Sequence, residues 1–129
     1  MVDMITAEGL RLLKGKHPLV KVLCYVNTSA EVKAESNFCY TSANSVKILR
    51  QDLKEEDEII FVPDKYLVHY TFKKTGKKFI IWNGYCSVHV KIPSEHLIQK
   101  KKLHSKIKVV AHPECRSKVI EFADKVCST

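Results

Sequence analysis

Within four residues, His112-Pro113-Glu114-Cys115, the chain places an imidazole, a carboxyl group and a thiol. They follow directly on Val109-Val110-Ala111, an apolar stretch of the kind that forms a buried strand. An imidazole and a carboxyl group held together can serve as general base and general acid near neutral pH. Tyr25 and Asn27 stand at the end of another apolar stretch, "VKVLCYV" at 20–26. Cys86 lies in a glycine-containing loop, "NGYCSVH". Each of these also has an ordinary reading: His112 and Glu114 as an exposed helix-capping pair, Tyr25 as a core tyrosine, Cys86 as a surface thiol. His17, His69, His89, His96 and His104 show no paired spacing such as HxxxH and read as surface or structural, His89 standing out only for lying three residues from Cys86.

The elements that must carry these groups alternate. The pattern predicts a helix over 6–16 with Thr6 as N-cap, a strand over 20–26, a short helix over 29–36, a short strand over 38–41 and a helix over 43–53. A strand over 58–62, a helix over 64–75 stopped by Gly76, a strand over 78–82 and a loop over 83–92 follow. A helix over 93–103 opened by Pro93, a strand over 107–111 and a helix over 115–124 complete the reading. The strands are apolar runs rather than period-2 patterns, as in strands covered on both faces. The fold class is therefore α/β: a parallel sheet with helices on both faces, a three-layer αβα arrangement. The first four strands are expected in one sheet, and 107–111 in a second.

The chain also repeats itself. Residues 21–42, "KVLCYVNTSAEVKAESNFCYTS", align without a gap on residues 108–129, "KVVAHPECRSKVIEFADKVCST", an offset of 87. Tyr25 falls on His112, Asn27 on Glu114, and Thr41-Ser42 on Ser128-Thr129. In open parallel α/β sheets ligands bind at the carboxyl ends of strands, so His112 and Glu114 form one wall of a cleft and Tyr25 and Asn27 the facing wall. The reading divides the chain into an αβα domain over 1–87 and the start of a second, pseudo-repeated αβα domain over 88–129. That second copy is expected to be incomplete.

Five cysteines, an odd number without CxxC, argue against a secreted disulfide framework and against a zinc ribbon. Cys24 and Cys39, inside apolar runs, read as buried small hydrophobes. The formal net charge of +8 would suit nucleic acid, a membrane surface or small anions. The lysines fall in "KKTGKK" and "KKK" with no nucleic-acid-binding signature, so they read as solvated and nucleic acid is not an expected partner. No apolar run approaches the ~20 residues of a membrane helix, and the first residues carry no signal-peptide pattern. The expected location is the cytoplasm.

The segments "YVNTSAEVKAES", "TSAN", "TGKK", "WNGYCSVH" and "HPE" together resemble quinolinate synthase, the iron–sulfur enzyme of NAD biosynthesis. The resemblance covers nearly the whole chain. It implies three pseudo-equivalent α/β domains around a central site, with this chain holding the middle domain and the first half of the third. It implies a transferase that condenses iminoaspartate with dihydroxyacetone phosphate to quinolinate, with loss of water and phosphate, and a functional link to aspartate oxidase. It implies a [4Fe–4S] cluster on three cysteines, one per domain, of which Cys86 matches the middle one; the other two are expected outside this chain. Tyr25 and Asn27 match a substrate-contacting Tyr-x-Asn, with Tyr25 also in the catalytic set. Ser42 matches a contact to a substrate carboxylate. His112 and Glu114 match a pair that binds substrate and transfers protons. Ser128 and Thr129 match a pair that holds an anionic group. The chain departs from the family pattern at Tyr40, Tyr66, Val68, Ser87 and Cys127. Where such a change replaces a left-handed glycine it is expected to cost about 1 kcal/mol. The competing reading is a degenerate, non-catalytic basic α/β module that binds an anion or nucleic acid.

Overall fold

The structure, a computed structural model, describes residues 4–56 and 58–128; Thr129 lies outside the described residues. Strands β1 (Lys21–Tyr25), β2 (Phe38–Tyr40), β3 (Glu58–Val62) and β4 (Lys78–Ile81) form a parallel sheet in the order β2-β1-β3-β4. Successive residues of a strand point to opposite faces, and here both faces are covered. Val22, Cys24, Ile60 and Val62 pack with Leu10 of α1 (Ala7–Lys16) and Val32 of α2 (Ala30–Ala34). Leu23, Tyr25, Ile59 and Phe61 pack with Leu49 of α3 (Ser45–Gln51) and Leu67 of α4 (Lys65–Thr75). Each fully buried aliphatic side chain of this kind contributes about 1.5–3 kcal/mol. Burial on both faces is the reason β1 and β3 read as apolar runs.

Local signals set the helix ends. The Thr6 hydroxyl accepts the Gly9 amide at 3.1 Å and starts α1. Gly76 closes α4 at φ 70°, a left-handed conformation that glycine adopts without steric penalty. Pro93 precedes the first turn of α5 (Ser94–Leu103) as its N-cap, one position earlier than expected.

Strands β5 (Val110–Ala111) and β6 (Lys125–Val126) form a separate parallel sheet, joined by α6 (Ser117–Phe122). The strand expected over 107–111 is thus only two residues long, and the helix expected over 115–124 contracts to six. Among the described residues β5 pairs with β6 alone, and the chain must leave the helix at Phe122 to run back beside it. Ala111, Cys115 and Val119 form a small core here with Leu97 against them.

The 87-residue offset reappears as hydrogen-bond geometry. Leu23 and Cys24 face Phe38 and Cys39; Val110 and Ala111 face Lys125 and Val126 in the same register. The Val22 amide donates to Asn37 Oδ1 at 2.8 Å, and the Val109 amide donates to Asp124 Oδ2 at 2.8 Å. The Asn37 and Asp124 amides donate in turn to the Val22 and Val109 carbonyls. Helices α1 and α5 span equivalent residues. Two segments of different sequence share one local architecture.

Two expectations change. Cys24 is buried, but Cys39 is exposed, because β2 is an edge strand; the two sulfurs lie 3.9 Å apart. Among the described residues no non-glycine has a positive φ, so Val68 and Cys127 carry none of the left-handed backbone strain expected of such departures. No helix of the described residues is long and apolar enough to cross a membrane.

Candidate active site

The carboxyl ends of the two sheets meet. Glu114 follows β5 in a turn closed by the Cys115 amide donating to the His112 carbonyl at 3.0 Å. This turn directs the Glu114 side chain inward, where only 3% of the residue is exposed. Its Oε2 lies 3.1 Å from His89 Nδ1 and 4.0 Å from His112 Nδ1. The His89 and His112 rings stack with centroids 4.6 Å apart. His89 Nδ1 also lies 3.1 Å from Cys86 Sγ. A thiol, an imidazole and a carboxyl group therefore converge, their ligand atoms all within 4.8 Å of one another. Glu114 Oε1 is buried and accepts no hydrogen bond from the described residues.

Asp64 holds the loop that carries Cys86. It is fully buried at the N-terminus of α4. Its Oδ1 accepts the amides of Tyr66 and Leu67 at 2.8 and 2.9 Å, and its Oδ2 accepts the Cys86 amide at 2.9 Å. One carboxylate thus caps a helix and anchors the thiol-bearing loop. Burial pushes Asp64 up to about 6, with the Glu114 charge adding to it and the three amides opposing it. The loop also pairs with the start of α4 through the Lys65 amide and the Gly84 carbonyl, 3.0 Å apart. At Gly84 a β-carbon would collide with the Pro63 carbonyl oxygen, so a side chain is excluded there by close backbone approach.

The facing wall comes from the first sheet. Tyr25, the last residue of β1, is buried, and Tyr40 stacks beside it at 5.1 Å. Burial raises the Tyr25 phenol to about 12; the Ser42 hydroxyl pulls it down and the Glu114 carboxyl group pushes it further up. Tyr25 is therefore at once a core tyrosine and a protonated donor facing Glu114. Ser42 Oγ lies 2.7 Å from Ser128 Oγ, linking positions at the two repeat ends. Asn27 is exposed in the turn after β1 and makes no hydrogen bond among the described residues. Burial also lowers the His112 imidazole below its ordinary value, against the opposing pull of Glu114. The Glu114 amide donates to His112 Nδ1 at 3.3 Å, so neutral His112 carries its proton on Nε2. A cavity of about 330 Å³ beside His89, His112, Leu97 and Cys115 flanks the cluster. A larger one, about 660 Å³, lies against Tyr66, Phe72, Phe79 and Ile81 and touches none of these groups.

Cys86, Tyr25, Ser42, Ser128, His112 and Glu114 are thus brought together, and Asn27 is exposed two residues beyond Tyr25. The exposed-capping-pair reading of His112 and Glu114 does not hold: Glu114 is buried and His112 half-buried. Reading His89 as surface or structural is also corrected. It is half-buried and bridges Cys86 to Glu114. The available signal was its spacing, since residues three apart in a turn share a face. The helix expected over 64–75 begins at Lys65 with Asp64 as its N-cap, and the long-range bond of Asp64 to Cys86 had no sequence signal.

The sequence profile of the family described as Quinolinate synthetase A protein matches residues 1–129. The chain belongs to this family. It is 48% identical over 129 residues to the quinolinate synthase of Methanosarcina barkeri (strain Fusaro / DSM 804) and 49% identical to quinolinate synthase 1 of Methanosarcina acetivorans. It is 48% identical to the quinolinate synthase of Dehalococcoides mccartyi (strain CBDB1). All of this chain is covered in each case, but only 42% of each relative. The chain therefore spans about two-fifths of the length of these curated quinolinate synthases. For the [4Fe–4S] cluster implied by the resemblance, the donors on this chain fit in part. Cys86 presents a thiol to the pocket, while its neighbours there are an imidazole and a carboxyl group. A cubane needs three or four thiolates, so this chain by itself does not complete a set.

Proposed function

We propose that this chain forms the middle domain (1–87) and the beginning of the third (88–129) of a quinolinate synthase in cytoplasmic NAD biosynthesis. The reaction would condense iminoaspartate, supplied by an aspartate-oxidising enzyme, with dihydroxyacetone phosphate. The observation that carries this reading is the convergence of Cys86, His112, Glu114 and Tyr25 from the ends of three strands, β1, β4 and β5, onto one pocket. Cys86 would hold one iron of a [4Fe–4S] cluster whose other thiolates come from outside this chain. When bound, that cluster would supply an open iron as a Lewis acid. Condensation, dehydration and tautomerisation each move a proton. Glu114, between the Tyr25 phenol and two imidazoles, is the group through which protons pass. Neutral His112 donates from Nε2, and Tyr25, held protonated, steadies developing negative charge by hydrogen bonding. The paired hydroxyls of Ser42 and Ser128, with Thr129 next in sequence and Asn27 two residues beyond Tyr25, suit the carboxylates and phosphate of the substrates. The alternative of a non-catalytic basic module gives no role to a carboxyl group buried against two imidazoles and a thiol.

The test is a chimera in which this chain replaces the matching segment of the Methanosarcina barkeri enzyme, assayed anaerobically for quinolinate. The parent chimera should form product. Cys86→Ser should abolish it, and Glu114→Gln should lower kcat by about 100-fold or more, as loss of a general acid–base group does. A Cys86→Ser chimera as active as its parent overturns the assignment.

A further inference from the structure

We infer that a second pocket, where the first turn of α5 faces the start of α4 and residues 116–118, binds a small phosphate monoester. It has a volume of about 320 Å³ and is lined by Tyr66, Ser94, Glu95, Arg116, Ser117 and Lys118. It shares only Val119 with the cavity beside His112, so it is a site apart from the Cys86 cluster. Its size is at the small end of ligand pockets, which run from ~300 Å³ upward.

The 87-residue repeat brings out what is particular to this pocket. In the first copy Thr6 caps α1 by accepting the Gly9 amide, and Ser29 caps α2 by accepting the Val32 amide. The equivalent positions in the second copy are Pro93 and Arg116, and neither side chain makes a capping hydrogen bond. The first amides of α5, a ten-residue helix, are therefore left without a capping acceptor. A helix N-terminus carries about half a positive charge and favours anions. Arg116 adds a full positive charge to the same pocket, where the first copy has a serine.

A separate observation points to a ligand. Ser94 stands where the first copy has Ala7. It is 7% exposed and lines the pocket, and its hydroxyl has no hydrogen-bond partner among the described residues. Buried hydroxyls are normally paired, and an anion in the pocket supplies the acceptor. Arg116 and Lys118 are exposed and have no carboxylate partner among the described residues either. Arg116 offers a planar fork that matches two phosphate oxygens, and Lys118 adds a point charge. A tetrahedral oxyanion accepts from several directions at once, which suits donors arriving from α5, Tyr66 and Arg116 better than a planar carboxylate does. Glu95 also lines the pocket, and its carboxylate opposes any anion. Two cations against one carboxylate favour a single phosphoryl group over a polyphosphate.

The probe is inorganic phosphate added at constant ionic strength to the ¹⁵N-labelled 129-residue chain, followed by amide NMR shifts. Saturation at one site is expected, with the largest shifts at the Ser94 and Glu95 amides, and methyl phosphate should compete for the same shifts. Arg116→Ala should weaken Kd by about tenfold or more, the share of a charge-assisted bidentate contact. Ser94→Ala should weaken it by about fivefold, as loss of one neutral hydrogen bond does. Glu95→Gln should tighten it by about twofold, because a repelling charge is removed. Lys100→Ala, in the last turn of α5, should leave it unchanged. Arg116 is exposed, so its variant keeps the test open if Ser94→Ala fails to fold. Shifts that do not saturate, an Arg116→Ala chain that binds as its parent does, or a Lys100→Ala chain weakened as much as Arg116→Ala each overturn the site. Phosphate binding with no competition from methyl phosphate overturns the ester as ligand. None of those outcomes touches the reading of the Cys86 site, which the activity of the Cys86→Ser chimera decides.

Discussion

Asp64→Asn separates the two tasks of the buried carboxylate. The asparagine oxygen can still accept the Tyr66 and Leu67 amides, but its NH₂ faces the Cys86 amide across 2.9 Å, donor against donor. The helix cap is retained and the anchor of the Cys86 loop is lost. The variant also removes a titration. Asp64 rises from the ordinary 3.8 to about 6 in the folded chain. Its folded value lies above its unfolded one, so the folded state holds the proton more tightly. Its contribution to stability is therefore greatest below 3.8 and declines as pH rises through 6. At ~1.4 kcal/mol per tenfold in proton affinity, the decline amounts to about 3 kcal/mol. Asparagine titrates nothing in this window. Urea unfolding of both proteins, followed by fluorescence of the single tryptophan Trp82, should give a stability difference that shifts against the wild type by about 2 kcal/mol between pH 4 and 6.5. A difference that stays flat over that range, or shifts in favour of the wild type, refutes burial as the dominant influence on Asp64.

Gly84→Ala should destabilise the chain by about 1–3 kcal/mol, because its β-carbon meets the Pro63 carbonyl and the strain has no flexible side chain to absorb it; a denaturation midpoint equal to that of the parent would contradict this. His112 is pushed below its ordinary value by burial, so it should stabilise the fold above pH 6.5 and lose that contribution as pH falls below it. Its imidazole protons, followed by NMR, should titrate with a midpoint under 6.5, and a midpoint above 7 would show that Glu114 dominates instead. Anaerobic reconstitution of the isolated chain with iron and sulfide should yield no stoichiometric [4Fe–4S] cluster, since Cys86, even with Cys115 beside the pocket, leaves fewer than three thiolates there. A full cubane absorbance spectrum would show that Cys115 or another thiol completes the set.

The alternation of apolar runs with caps was legible because those signals are local. Thr6 and Gly76 each act on amides or dihedrals within a turn of themselves. The doubly buried character of β1 and β3 was legible because period is a property of the chain alone. The repeat was legible as well: a gapless alignment carries the same register into space, down to the paired roles of Asn37 and Asp124. What the sequence could not show is the meeting of the two sheets. His89 lies 25 positions from Glu114, and no periodicity relates them. Only the tertiary structure brings His89 between Cys86 and Glu114, buries Glu114 with an oxygen unpaired, and turns Asp64 from a helix cap into the anchor of a thiol. The lengths of β5 and α6 were decided there too. A strand extends only as far as it has a partner, and among the described residues β5 has β6 alone.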